Sequence, residues 1–331
     1  MPGTLDDLTH RHERFLSRLG SDGFAPLPLL SAYTTIAYRR EIEQPTRPVA
    51  AFSLLKLDAS GFCSFDTHRR ALSVAGMLRS VARLASENAG WTEESINAFV
   101  LGHGEPKGGA RHVAVGPQRF AYLPLPSIEA RSTGKARVVG SVRRAMLAVF
   151  ADESQAVIDW ARRALPGQEL VDKDSKQPVA LLSLLPANDA VLGRYIQPAT
   201  TWSSVTPVVL PGYDDPAHFR RRLKLGTSAD EQKRLLGQLD DRIDGLLRKA
   251  IRQAGYAQGL ADHAGLEWRK VGFWPGSDPA DSHGVPDHLR KFARYHVRIV
   301  WRDTQDRPID VRGPVCLGAG RFYGVGLFAA P

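Results

Sequence analysis

Residues Gly313 to Phe328 read GPVCLGAGRFYGVGLF and restrict the fold more than any other stretch. Two Gly-x-Gly pairs, Gly318/Gly320 and Gly324/Gly326, enclose Arg321, Phe322 and Tyr323. β-type runs lead in (Val315, Cys316, Leu317) and lead out (Val325, Leu327, Phe328). Glycine at this density lets the backbone enter φ > 0 and lets another backbone come close. Spacing alone leaves two readings open. One is a hairpin that needs only a tight bend. The other is a loop for a phosphate backbone and a stacked base, to which an arginine and two aromatics are suited. A dinucleotide-phosphate loop fits less well, because no long helix follows to present its N-terminus.

A length of 331 residues suggests two domains at about 150 residues each. No segment approaches the roughly 18 consecutive apolar residues of a membrane span. The first residues, MPGTLDDLTHRHERFL, carry acids and no apolar stretch, so neither a signal peptide nor a membrane partner is expected. Cys63 and Cys316 lie far apart and make no disulfide framework or zinc cluster. They read as small core thiols of a cytoplasmic protein. No metal or cofactor is expected. Net charge is +9, and residues 101–150 hold eight Lys/Arg against two acids. A localised basic excess is the footprint of a polyanion, and a basic surface kept for solubility is the plainer alternative.

The element order is α+β. Residues 1–30 read as a helical extension with Leu5, Leu8, Phe15, Leu16 and Leu19 on one side. SAYTTIAYRR and VAAFSLLKL read as extended segments. Asp66 caps a helix to about Ala85, and a second helix from Thr92 to Leu101 stops at Gly102. HVAVGPQRFAYLPLP and ARVVGSVRRAMLAVF read as strands, and a helix at 153–165 stops at Pro166. After the loop NDAVLGRYIQPATTW comes the strand SVTPVVL. A long helix follows, with Ser228 and Glu231 as its capping box. Two more strands, GLEWRKVGFW and YHVRIVW, precede the glycine-rich end. The order predicts two tandem ferredoxin-like (RRM-like) domains, 31–175 and 176–331, with the glycine-rich loop 313–328 in the second. The Pro/Gly-rich loop 274–286 reads as the mobile segment.

Several strings then fit one family together. They are GHG at 102–104, FAYLPLPSIE at 120–129, RVVG at 137–140, TPVVL at 206–210, YHVRIVW at 295–301 and the glycine-rich terminus. In this order they resemble the repeat-RNA-processing subunit of type I-G (formerly I-U) CRISPR systems. That subunit fuses a Cas-five-like domain to a Cas-six-like endoribonuclease. The match covers the Cas-six-like portion, and the fused N-terminal region has no counterpart here. The chain therefore reads as a separately made or split form.

The resemblance implies metal-independent cleavage of CRISPR repeat RNA. It also implies retention of the crRNA 3′ end within a type I effector complex, with its other subunits as partners. Such chemistry needs a base near the 2′-hydroxyl, a proton donor for the leaving oxygen and cationic help at phosphorus. His103, in Gly-His-Gly beside the basic block, is the first candidate base, and a helix-capping loop histidine is its plainer reading. His68, at the start of the first long helix, is the second, because related nucleases often carry their histidine there. Arg111 and Lys107 are candidates for charge stabilisation. Arg137, Arg143 and Arg144 are candidates for phosphate contact, though Arg143 and Arg144 face opposite ways on a strand. Arg221 and Arg222 could grip duplex RNA or simply be solvated. Gly318, Gly320, Arg321, Phe322, Tyr323, Gly324 and Gly326 complete the RNA-binding expectation. His112 and His296 sit in strand-like runs. His283 and His288 read as solvated in the mobile loop, and Trp274 beside it as a stacking candidate. Two rivals remain, a non-catalytic RNA-binding scaffold and a small-molecule enzyme using the loop for a nucleotide.

Overall fold

The computed structural model describes residues 6, 9–10, 12–13, 44, 47–104, 113–114, 116–130, 137–151, 154–210, 221–222, 224–225 and 228–331. Residues 1–40 and 41–331 form two units. The described positions of the first, Asp6, Thr9, His10, His12 and Glu13, are helical. The strand expected at SAYTTIAYRR lies outside the described residues.

The second unit begins with β1 (Val49–Leu55), α1 (Thr67–Asn88) and α2 (Glu93–Ser95), which passes into a π-helical turn at Ile96–Leu101. Next come β2 (His103–Gly104), β3 (Val113–Ala114), β4 (Phe120–Ala130), β5 (Arg137–Val149), α3 (Gln155–Ala164), β6 (Glu169–Val171) and β7 (Pro178–Leu184). The remainder is α4 (Ala190–Ile196), β8 (Thr201–Ser204), β9 (Val208–Val209), α5 (Ala229–Gln253), α6 (Gln258–His263), β10 (Gly265–Arg269), β11 (Arg294–Val300) and β12 (Phe328–Ala329).

The first sheet is antiparallel, in the order β4-β5-β1-β7-β6. Its β1-α1-β4-β5-α3-β7 succession has the order of a split βαβ motif. One face packs Phe52, Leu54, Tyr122 and Leu147 under Leu78 of α1 and Ile158 of α3. The other face packs Leu123, Leu125 and Met146 against Tyr195, Cys316, Phe322 and Leu327. A sheet covered on both sides needs apolar residues facing both ways, which is why Phe120 through Ile128 are all buried. Pro124 and Pro126 are tolerated because β4 is an edge strand whose register shifts at Leu125/Pro126.

The second sheet runs β10-β11-β8-β12, with β9 pairing to β11. α5 lays Leu239, Ile243, Leu246, Leu247 and Ile251 onto it, against Trp202, Val297, Ile299 and Trp301. Ser228 caps α5 by accepting from the Glu231 amide at 3.3 Å. Where a second helix would stand between β11 and β12, the chain instead forms the glycine-rich loop.

That loop is built into the core. Gly318, Gly320, Gly324 and Gly326 sit at φ 85°, 85°, 74° and 79°. A Cβ on Gly326 would lie 2.0 Å from the Leu317 carbonyl oxygen, and one on Gly318 would lie 2.4 Å from that of Val209. Backbone cannot yield as a flexible side chain can. Gly326→Ala is expected to destabilise the protein by about 3 kcal/mol, measured as a lowered urea midpoint with unchanged slope.

Three expectations need correction. The segment SVTPVVL breaks between β8 and β9, because Pro207 has no N–H and Thr206 turns inward. The Thr206 hydroxyl donates to the Gly324 carbonyl at 2.8 Å and accepts from the Leu327 amide at 2.9 Å. The expected loop NDAVLGRYIQPATTW contains α4, capped by Asp189 Oδ1 accepting from the amides of Val191 (3.0 Å) and Leu192 (2.8 Å). The boundary expected at 175/176 falls inside the β6–β7 hairpin, and both of its strands belong to the first sheet.

Candidate nucleic-acid interface

α1 begins at Asp66, whose Oδ1 accepts from the Arg69 amide at 2.8 Å. Its apolar stripe, Val74, Leu78, Val81 and Ala85, goes to the sheet. The edge left over, Leu72, Gly76, Arg79, Ser80 and Arg83, floors an open groove of about 570 Å³. Leu101 and Tyr323 line the groove too, together with Lys173, Pro286 and His288. A second hollow of about 520 Å³ shares Leu72, Gly76 and Ser80 and extends past Lys173 to Lys176. Arg79, Arg83, Lys173 and Lys176 give the combined surface a cationic bias, offset by Asp172 and Asp174. Gly76 stands in the middle of the floor, and a Cβ there would meet nothing within 4 Å. Mid-helix glycine costs roughly 0.5–1 kcal/mol relative to alanine, and no neighbour in the fold requires it.

His68 stands in the first turn of α1, one turn before Leu72. Its Nδ1 lies 2.9 Å from Asp278 Oδ2 and 3.1 Å from Asp66 Oδ1. Two carboxylates at Nδ1 place the neutral ring's proton there and leave the Nε2 lone pair free to accept. Arg69 Nε donates to that Nε2 at 3.1 Å. The side chain keeps 22% of its surface exposed. Asp278 arrives from the Pro/Gly-rich segment expected to be mobile. Instead, the Val139 amide donates to the Pro275 carbonyl, and the Gly284 amide donates to the His68 carbonyl at 2.9 Å. His283 is not solvated, with 5% exposure. Burial, with His296 and His68 nearby, pushes its pKa down to about 3. His296 is fully buried, and burial lowers its pKa as well. Trp274 is buried, with its indole N–H donating to the Ser203 carbonyl at 3.1 Å.

His103 follows Gly102, whose φ of 68° ends the helical turn. Its Nε2 lies 3.4 Å from Arg79 Nη2, which also donates to the Leu101 carbonyl at 2.8 Å. His68 and Arg79 are eleven residues apart on α1, about 16 Å along the axis. The two candidate histidines are therefore too far apart to act on one phosphate.

Lys107, Arg111 and His112 lie outside the described residues. Arg137 is exposed at the start of β5. Arg143 is half-buried and reaches Ser64 Oγ (3.1 Å) and Glu129 (3.5 Å). Arg144, on the opposite face, is buried and occupied. Its Nε (3.1 Å) and Nη2 (2.9 Å) both donate to Asp189 Oδ2, so it anchors the cap of α4. Arg221 and Arg222 are helical and exposed, and neither lines the groove. Phe322 is buried at 6% exposure against Phe150, so it offers no face to a base. Tyr323 does open into the groove. Gly76, Arg79, Lys173 and Asp278 escaped the sequence reading. Gly76 alone carried a local sign, as a glycine within a helical stripe.

Among the described residues, no helix is long and apolar enough to cross a membrane, and no cluster of three His, Cys, Asp or Glu side chains is placed to hold a metal ion. No curated protein matches the chain. Two solved Cas6 product complexes are similar at 12% and 14% identity, with TM-scores of 0.35 and 0.33. Each similarity covers 86% of this chain, and 100% and 99% of the respective solved chain. The family model for "CRISPR-associated protein, GSU0054 family" matches residues 1–330. By that match along its length, the chain belongs to the GSU0054 family of CRISPR-associated proteins.

Proposed function

We propose that this protein binds CRISPR repeat RNA along the α1 groove and cuts it without a metal ion. One observation carries the reading. A helix-borne histidine, aligned by the Asp278 carboxylate, stands one turn of α1 before Leu72, which lines a cation-bearing groove whose floor carries an otherwise unneeded glycine. His68 Nε2 takes the proton of the 2′-hydroxyl, and the resulting oxyanion attacks the adjacent phosphorus. Arg69 turns from Nε2 to the phosphoryl oxygens and offsets the charge that develops there. The P–O5′ bond breaks, the leaving 5′-oxygen takes a proton from solvent, and His68 returns its own to solvent, which leaves a 2′,3′-cyclic phosphate and a 5′-hydroxyl. Contacts to the retained portion are untouched by cleavage, so the protein stays on the crRNA 3′ end and joins a type I effector complex. The strand orders of the two sheets support tandem ferredoxin-like units, divided after β7 rather than before it.

The rival is a non-catalytic scaffold in the same groove. It is favoured by the Arg69–His68 hydrogen bond, which occupies the lone pair a base must use. End-labelled repeat RNA incubated with the protein in EDTA separates the two. One defined cut, with a 5′-hydroxyl that polynucleotide kinase phosphorylates directly, supports the enzyme. Tight binding with no cut supports the scaffold.

Gly76→Ala is expected to move stability and binding in opposite directions. The helix gains about 0.5–1 kcal/mol, while a methyl group on the groove floor weakens repeat-RNA binding several-fold. Thermal melts and filter binding on one preparation check both. Unchanged affinity in the stabilised variant would remove the groove from the RNA path.

A further inference from the structure

Arg79, Arg119 and Arg321 come from three separated parts of the chain and meet around Phe322 and the Leu101–Gly102 turn. The guanidinium carbon of Arg119 lies 3.7 Å from the Phe322 ring centroid, and that of Arg321 lies 4.7 Å from it. Arg119 Nη1 donates to the Gly102 carbonyl at 3.1 Å, beside the Leu101 carbonyl that Arg79 uses. Among the described residues, none of the three is ion-paired with a carboxylate. The Nε of each is buried and has no hydrogen-bond partner. Burial lowers the pKa of Arg119, and the Arg79 charge lowers it further. Burial likewise lowers that of Arg321, with Arg119 and Arg47 adding to it. All three side chains are partly buried, and like charges gathered there without an acid oppose folding. The partial negative charge of helix-end carbonyls compensates them only in part.

We propose that Arg79, Arg119 and Arg321 form a phosphate-binding site at the Tyr323 end of the α1 groove. Guanidinium groups match the geometry of phosphate oxygens. Arg79 and Tyr323 line the open groove, and they also line a small hollow beneath it shared with Arg119 and Phe322. That hollow, about 10 Å³, is too small for a phosphate. The anion therefore sits at its mouth on Arg79, with the charges of Arg119 and Arg321 acting from below. The site draws on the RNA reading only for the source of its phosphate. An RNA phosphodiester and free inorganic phosphate carry the same chemistry.

The test uses the full chain, with sodium phosphate and with sodium chloride at matched ionic strength. At about ten times the Kd, phosphate is expected to raise the wild-type Tm by about 3 °C. Arg119→Gln and Arg321→Gln should each lose that shift. Their Tm in chloride should equal or exceed that of the wild type, because a partly buried like charge is gone. No wild-type shift overturns the proposal. So does a variant that melts early in chloride yet still responds to phosphate, since its arginine is then structural only. If one variant does not fold, the other carries the same readout. A short repeat-RNA oligonucleotide distinguishes the sources. About tenfold weaker binding by Arg119→Gln assigns the site to RNA, and unchanged binding with a retained wild-type phosphate shift assigns it to free phosphate. Neither arm reads cleavage, so failure here leaves the cutting reading standing, and failure to cut leaves this site standing.

Discussion

Replacing His68 by alanine is expected to slow single-turnover cleavage of repeat RNA about 10³-fold while leaving affinity within a few fold. A positioned general base contributes 10²–10⁴-fold, roughly. Asp278 at 2.9 Å and Asp66 at 3.1 Å hold His68 at Nδ1. On the proposed RNA path along α1 and the loops facing it, its imidazole would supply little of the binding surface. Asp278→Asn should fall between the variant and the wild type, because an amide can hold the ring without stabilising its protonated form. His103→Ala should lose less than tenfold in rate, since its ring lies beside Arg79 at the far end of the groove. Single-turnover rates of the three variants decide between the ends. A large loss in His103→Ala with near-normal cutting by His68→Ala would reverse the assignment.

Arg47→Ala is expected to have the largest effect on stability, about 4 kcal/mol. The side chain is buried at 7% exposure just before β1. Its Nη1 donates to the Tyr256 hydroxyl at 2.7 Å and to the Pro314 carbonyl at 2.8 Å, and its Nη2 donates to the Ala254 carbonyl. The guanidinium carbon lies 4.2 Å from the Tyr256 ring centroid and 5.0 Å from that of Phe150. One residue thus fastens the chain ahead of the first sheet to the end of α5 and to the entry of the glycine-rich loop. Burial lowers its pKa, with Tyr256 and Cys316 opposing the change. Alanine would leave a cavity, two carbonyls and a hydroxyl without their donor. Lysine should recover little, because a point-like ammonium cannot serve three acceptors in a plane. Urea denaturation of both variants reads the effect, and a loss under about 0.5 kcal/mol for alanine would show that water replaces the guanidinium.

What the sequence made legible was local. The Asp66 and Ser228 caps, the stripes of α1 and α5, and the β1 and β11 runs follow from spacing and capping chemistry within one element. The α4 helix escaped because it is short, although Asp189 at its start carried the capping sign. The β6–β7 hairpin was divided because strand membership depends on which partner a strand finds. The glycine-rich loop was read correctly as needing left-handed backbone. Its purpose, close packing against Val209 and Leu317, depends on partners that spacing does not name. Likewise, Phe322 looked like a stacking platform until β4 and Phe150 closed over it. His68 was visible as a helix-start histidine. Its carboxylate partner Asp278 lies in the other half of the chain, and no local pattern joins the two.

On the proposed reading, repeat RNA lies in the groove over α1. Photocrosslinking of repeat RNA carrying 4-thiouridine, with the linked peptides identified by mass spectrometry, tests it most directly. Crosslinks are expected at Tyr323, His288 and Lys173, which line that groove from three separate segments. Crosslinks confined to the exposed Arg221 and Arg222, with those groove residues unmarked, would contradict it.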